Sequence, residues 1–219
     1  MKNVDYKLYF IMGSINATDP LSVLEDALKG GITCFQFREK GPNALAGTEK
    51  KAFAQSCQRL CKQYGVPFIV NDDVDLSIEI GADGVHVGQD DTDAAFVREK
   101  IGADKIVGVS VHSVDEAKAA IAAGANYVGI GPVYETVSKD DAKPVAGTVL
   151  IEKVSTLFPE LPIVGIGGIT ATNAEPVFKA GAHGISIISS IASAENPEIA
   201  AKQLKHTANQ WAVKRSALQ

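Results

Sequence analysis

Short runs of apolar and β-branched residues recur along the whole chain. They are LYFIM (8–12), ITCFQF (32–37), PFIVN (67–71), GVHVG (84–88), KIVGVS (105–110), YVGIG (127–131), PIVGIG (162–167) and GISIIS (184–189). Several are apolar at both odd and even positions, the pattern of parallel strands covered on both faces. Helical periodicity fills the intervals. From Gly47 to Tyr64, the residues Phe53, Cys57, Leu60, Cys61 and Tyr64 follow a 3.6-residue period, and Gly65 stands at the C′ position. Segment 19–31 offers Asp19 as N-cap, Pro20 at N1 and a closing glycine. A last helix is predicted from about Asn196 to Val213.

One joint repeats. GADGVHVG (81–88), GANYVGIG (124–131) and GAHGISII (181–188) each place a Gly-Ala turn between a helix end and a strand, and GGITCFQF (30–37) is a looser copy. Eight strands alternating with helices predict an α/β fold, a single (β/α)8 TIM barrel over residues 1–219, with residues 1–6 and 214–219 as frayed tails. The rival is a doubly wound open sheet. That fold usually has fewer strands at this length and often a Gly-rich fingerprint after its first strand, where this chain has GSINATD.

The net charge of −5 argues against a general nucleic-acid binder, though not against a local basic pocket. The first residues lack the apolar run and cleavage site of a signal peptide, and no stretch is long and apolar enough to span a membrane. These features predict a cytoplasmic protein without a membrane partner. Cys34, Cys57 and Cys61, an odd and sparse set, suit a reducing compartment. Cys57 and Cys61 read as half-buried helix thiols rather than a metal pair, which would want more ligands.

In a barrel the chemistry sits at the C-terminal strand ends. After the second strand, Gln36, Arg38 and Lys40 point one way and Phe37 and Glu39 the other. Arg38 and Lys40 aimed into one pocket would grip an anion, and the alternative is a solvated charged loop. The third strand ends in Asn71-Asp72-Asp73 and the fourth leads to Asp90-Asp91. Acidic clusters on neighbouring ends suit Mg²⁺, which takes one or two carboxylates plus substrate phosphates. The alternative is helix capping, by Asp73 for one helix and by Asp90 or Asp91 for the next. The fifth strand ends in Ser110 and His112, the latter more often structural than catalytic. The longest βα loop, 131–141, carries Thr136, Ser138 and Lys139. The seventh and eighth strands end in Gly167-Gly168 and Ile188-Ser189-Ser190, where this fold commonly binds phosphate through backbone N–H groups. A basic, Mg²⁺-lined site and a neutral monophosphate site in one mouth suggest a two-substrate transfer.

QFREKG (36–41), VNDDVDLS (70–77), GVHVGQDD (84–91), VGIGPVY (128–134), SKDDA (138–142), IVGIGGI (163–169) and GISIISSI (184–191) resemble the blocks of the thiamine phosphate synthase family, in that family's order. The resemblance spans nearly the whole chain. It implies a Mg²⁺-dependent transferase of thiamine biosynthesis, joining hydroxymethylpyrimidine diphosphate to a thiazole phosphate with release of pyrophosphate, and working as a homodimer. It places Gln36, Phe37, Arg38, Glu39, Lys40, Asn71, Ser110 and Lys139 around the pyrimidine diphosphate. Arg38, Lys40, Lys139 and Ser110 are the implied catalytic groups. Thr136, Val137, Ser138, Gly168, Ile188 and Ser189 are placed around the thiazole phosphate, with Asp72 and Asp91 as metal ligands. Glu135 stands where the family often has proline and Ser138 where it often has threonine. The serine keeps the hydroxyl, whereas Glu135 adds negative charge beside an anionic substrate. A related thiazole tautomerase shares the fold and uses a histidine at the position of His112, but lacks the Asn71, Asp72 and Asp91 set. A silent barrel that only binds thiamine phosphate would leave that set idle.

Overall fold

The computed structural model describes residues 4–136 and 144–216, with side chains to Trp211. The strands are β1 (Leu8–Met12), β2 (Cys34–Phe37), β3 (Phe68–Asn71), β4 (Gly84–Val87), β5 (Ile106–Val111), β6 (Tyr127–Ile130), β7 (Ile163–Ile166) and β8 (Gly184–Ile187). The helices are α1 (Pro20–Lys29), α2 (Gly47–Gln63), α3 (Val74–Glu79), α4 (Ala94–Ile101), α5 (Val114–Ala122), α6 (Val149–Leu157), α7 (Glu175–Lys179), α8 (Ser189–Ala192) and α9 (Pro197–Ser216). Every strand pairs in parallel with its sequence neighbours, and β8 pairs with β1 to close the barrel. This is the (β/α)8 architecture that the strand spacing predicts.

Caps form where the sequence placed most of them. Asp19 accepts from the Ser22 N–H at the start of α1, and Asp73 accepts from the Leu76 N–H at the start of α3. The cap of α4 is neither Asp90 nor Asp91 but Asp93, which accepts from the Phe96 N–H. Asp90 and Asp91 are thereby left on the strand-end turn. Of the two ends expected to fray, Tyr6 is buried, its ring 4.6 Å from that of Tyr127, and residues 214–216 are in α9.

Two apolar cores follow from the period-2 alternation. Residues at one parity, such as Phe10, Phe35, Val85, Val109 and Ile185, pack outward against the helices. Those at the other parity, Tyr9, Ile11, Cys34, Ile69, Ile106, Tyr127 and Val164, fill the lumen with Tyr6. Cys57 and Cys61 lie wholly buried in the outer core, not half-buried as expected. Along the lumen the chemistry changes. Cys34 is followed inward-facing by Gln36 and Arg38, Ile69 by Asn71, Gly84 by His86, and Ile106 by Gly108 and Ser110. The N-terminal end of the barrel is therefore an apolar plug and the C-terminal end a polar mouth.

Candidate active site

The mouth holds a cavity of ≈ 330 Å³ lined by Arg38, Lys40, Asn71, Asp72, Asp91, Ser110 and Thr136 among others. The alternation after β2 is as predicted, and it separates the proposed contacts. Arg38 and Lys40 reach the cavity. The Phe37 side chain does not: it packs in the outer core, its ring 5.6 Å from Phe53 and 6.0 Å from Phe68. Nor does Glu39, whose carboxylate accepts from the Ser14 and Leu45 N–H groups and from the Ser14 hydroxyl. Of the pyrimidine-side residues, these two turn their side chains away from the cavity: Phe37 shapes the core and Glu39 holds the β1 and β2 loops together.

Lys40 bridges the two acidic strand ends. Its Nζ lies 2.9 Å from Asp72 Oδ2 and 3.9 Å from Asp91 Oδ1. Asp91 also accepts from the Gly88 N–H at 2.9 Å. Asp72 has φ of 61°, a left-handed conformation uncommon outside glycine but tolerated by Asp. Its N–H donates to the His86 carbonyl, which anchors the turn. Burial pushes the Asp72 carboxyl above its ordinary range; the Lys40 hydrogen bond opposes this and the neighbouring Asp91 adds to it. Asp73, by contrast, caps α3 and is bound by Lys50, so it faces away from this pair.

Two facing carboxylates fit one kind of metal. Among the described residues no group of three His, Cys, Asp or Glu side chains is placed to hold an ion. Zinc sites need three or four such protein ligands, whereas Mg²⁺ uses one or two carboxylates and completes its shell with water and phosphate. Asp72 and Asp91 suit Mg²⁺ on that ground.

Below the main cavity lies a smaller one of ≈ 20 Å³, floored by Tyr9, Gln36, Tyr127 and Ser186 and roofed by His86 and Ser110. Gln36 is 1 % exposed and donates from Nε2 to the Tyr9 hydroxyl at 3.1 Å. The Tyr9 and Tyr127 hydroxyls are 2.7 Å apart. His86 lies 2.9 Å from the Tyr127 hydroxyl through Nδ1 and 2.9 Å from Ser110 Oγ through Nε2. The Ser186 hydroxyl, buried in the same place, has no partner among the described residues. Gly108 is what lets Tyr127 in, because a Cβ there would overlap the phenol ring. The sequence reading passed over His86, Tyr9 and Tyr127. The alternation already carried the signal for His86: it is two residues before Gly88, on the lumen side of a strand whose other face is Val85 and Val87.

A third cavity of ≈ 30 Å³ is lined by Thr136, Gly168, Ile188, Ser189 and Ser190. It shares Thr136, Ile166 and Gly167 with the main cavity. Gly168 has φ of 62°, and a Cβ there would strike the Glu135 carbonyl. The strand-7 loop and the Glu135 segment therefore touch backbone to backbone. Tyr134 fixes the contact by donating to the Asn173 carbonyl at 2.8 Å. Val137, Ser138 and Lys139 lie outside the described residues. His112 edges the main cavity, its N–H donating to Glu116 at 2.7 Å and its Nδ1 3.4 Å from the same carboxylate oxygen.

Known proteins resemble this chain in sequence and in fold. The family model described as thiamine monophosphate synthase matches residues 8–191. The thiamine-phosphate synthase of Geobacillus kaustophilus is 60% identical over 198 residues, 90% of this chain and 89% of that protein. That of Lysinibacillus sphaericus is 55% identical over 200 residues, 90% of this chain and 93% of that one. Among solved structures, a thiamine phosphate pyrophosphorylase from Pyrococcus furiosus superposes with a TM-score of 0.83 at 32% identity, covering 94% of this chain and 97% of its own. A 3-hexulose-6-phosphate synthase shares only the fold, at 18% identity and a TM-score of 0.67 over 91% and 99% of the two chains. With most of its length matched to that model, and with its strand-end residues gathered in one mouth, this chain belongs to the thiamine monophosphate synthase family.

Proposed function

We propose that this chain joins 4-amino-2-methyl-5-hydroxymethylpyrimidine diphosphate to 4-methyl-5-(2-phosphoethyl)thiazole, giving thiamine phosphate and pyrophosphate; from the 2-carboxy form of the thiazole the same product requires loss of the carboxylate as CO2. The observation that carries this reading is the adjacency of a charged cavity at Lys40, Asp72 and Asp91 to a neutral chamber at Gly168, Ile188 and Ser189. The first suits a diphosphate, the second a monophosphate.

In the reaction the bond between the pyrimidine methylene and the diphosphate oxygen breaks, and its electron pair leaves with pyrophosphate. The thiazole nitrogen then forms the new C–N bond with its lone pair. No protein nucleophile is needed. The work of the protein is charge stabilisation of the leaving group and alignment of the second reactant. Arg38 and Lys40 face the cavity and can pair with the departing oxygens; Lys139 is assigned the same task. Mg²⁺ held by Asp72 and Asp91 would add positive charge to that leaving group. Asn71 and Ser110 line the main cavity and Gln36 with Ser110 the small one beneath it; these three are assigned to the pyrimidine ring. Thr136 and Ser138 are assigned to the thiazole, whose phosphate would rest on Gly168, Ile188 and Ser189. A cytoplasmic homodimer is the setting we propose; among the described residues no helix is long and apolar enough to cross a membrane.

The test is direct. Purified protein is incubated with both substrates and Mg²⁺, and thiamine phosphate is measured. Absence of product sinks the reading, and isomerisation of a thiazole carboxylate instead would favour the tautomerase, with His112 as its acid–base group.

A further inference from the structure

The polar groups under the mouth form one chain of hydrogen bonds. It runs from Gln36 through Tyr9 and Tyr127 to His86 and Ser110, with separations of 3.1, 2.7, 2.9 and 2.9 Å. Such a chain has a direction, because each hydroxyl owns one proton and a neutral imidazole donates from one nitrogen and accepts at the other. Burial pushes both phenols well above their ordinary range, so both keep their protons.

The direction follows from Gln36. Its amide N–H donates to the Tyr9 oxygen. The Tyr9 proton then needs an acceptor, and the Tyr127 oxygen at 2.7 Å is a far better one than the adjacent Cys34 thiol. Tyr127 in turn donates to His86 Nδ1, which fixes the proton of His86 on Nε2. That proton goes to Ser110 Oγ, and the serine proton is left to point at a ligand. At the other end, the committed amide N–H of Gln36 leaves its carbonyl oxygen as the group offered to the same chamber.

We propose that this relay fixes the polarity of the barrel floor, Ser110 as donor and Gln36 as acceptor, and thereby selects an aminopyrimidine over the corresponding oxopyrimidine. This rests on the pyrimidine site assigned under the proposed function. An aminopyrimidine edge offers an exocyclic N–H beside an unprotonated ring nitrogen, complementary to an acceptor beside a donor. The oxo tautomer offers a carbonyl beside a ring N–H, the reverse. Admitting it requires the Gln36 amide to turn over, which breaks its buried link to Tyr9, and it leaves the Ser110 proton facing a ring N–H instead of an acceptor. Tyr9, Tyr127 and His86 are positioning residues in this scheme: they act through the two side chains that meet the ring.

The tautomer can be read without ligand. In the full chain labelled with ¹⁵N-histidine, the His86 signals, assigned by their loss in His86→Asn, should show a protonated Nε2 and an unprotonated Nδ1. Tyr127→Phe, which keeps the ring, should convert this to a mixture, and Tyr9→Phe should move it the same way. A wild-type His86 protonated on Nδ1, or one unchanged in both variants, overturns the relay. Selectivity is then measured by binding of the 4-amino and 4-oxo pyrimidine monophosphates, which cannot react. Wild type should prefer the amino form by roughly 10²-fold, falling to about tenfold in Tyr127→Phe. Equal affinity of wild type for the two overturns the selection. Failure to make thiamine phosphate would remove the proposed reaction, whereas the His86 tautomer decides the relay independently of it.

Discussion

The Lys40 ammonium stands 2.9 Å from a carboxylate oxygen of Asp72, yet the Asp72 carboxyl is still held above its ordinary range. Burial and the facing Asp91 outweigh the lysine. A carboxyl whose folded pKa lies above its unfolded value binds protons better when folded. Its ionisation therefore lowers stability as pH rises from the unfolded value of 3.8 through the folded one. At neutral pH Asp72→Asn relieves that penalty, and asparagine tolerates the left-handed backbone here. The expected result is a melting temperature no lower than wild type, with activity reduced on the order of 10²-fold or more. A variant that retains full activity removes Asp72 from the metal role.

Lys40 is about half-exposed, so its ion pairs add little to stability. Lys40→Ala is expected to change the melting temperature by only a degree or two, roughly the effect of a surface substitution. Its kcat should fall by about 10²–10³, while the KM for the thiazole phosphate stays put. An unchanged kcat would assign the leaving-group charge to Arg38 and others instead.

Gly168→Ala tests the second chamber. The new methyl meets the Glu135 carbonyl at a backbone φ of 62°, so the strand-7 loop must shift. Destabilisation of about 1–3 kcal/mol is expected. The KM for the thiazole phosphate should rise roughly tenfold, and affinity for the pyrimidine diphosphate should hold, since Gly168 lies outside the main cavity. Equal loss for both substrates would contradict the division into two chambers.

The thiols give a pH signature. Burial pushes the Cys57 thiol up to about 12 from an ordinary 9.0. The folded state thus favours the protonated thiol, and this stability is complete below pH 9 and lost as pH rises towards 12. Thermal melts from pH 8 to pH 11 should show a decline that is shallower in Cys57→Ala, and a thiol reagent at pH 8 should label the cysteines only after unfolding. Labelling of the native protein would refute their burial.

The barrel and the two-site mouth were legible in the chain because alternation is a local code. Eight apolar runs identify the strands, and the switch from Cys34 to Gln36 to Arg38 along one parity marks the lumen turning polar. The same code turns the Phe37 and Glu39 side chains away from the cavity that Arg38 and Lys40 reach. Caps were harder. Asp90, Asp91 and Asp93 are equivalent in composition, and only the turn made by Gly88 with Asp91 decides that Asp93 starts α4. The Tyr9, Tyr127 and His86 network was missed because its members come from three separate strands and meet only when β8 closes on β1.

Thr136, Ile166 and Gly167 form a common wall between the charged cavity and the neutral chamber. A compound reaching across that wall would be tethered at both ends, and letting go of one end would leave it poised to rebind. The joined product should therefore dwell longer than either fragment, so that its escape rather than bond formation sets the pace of turnover, and a non-cleavable mimic of both halves should be a far tighter inhibitor than either half alone.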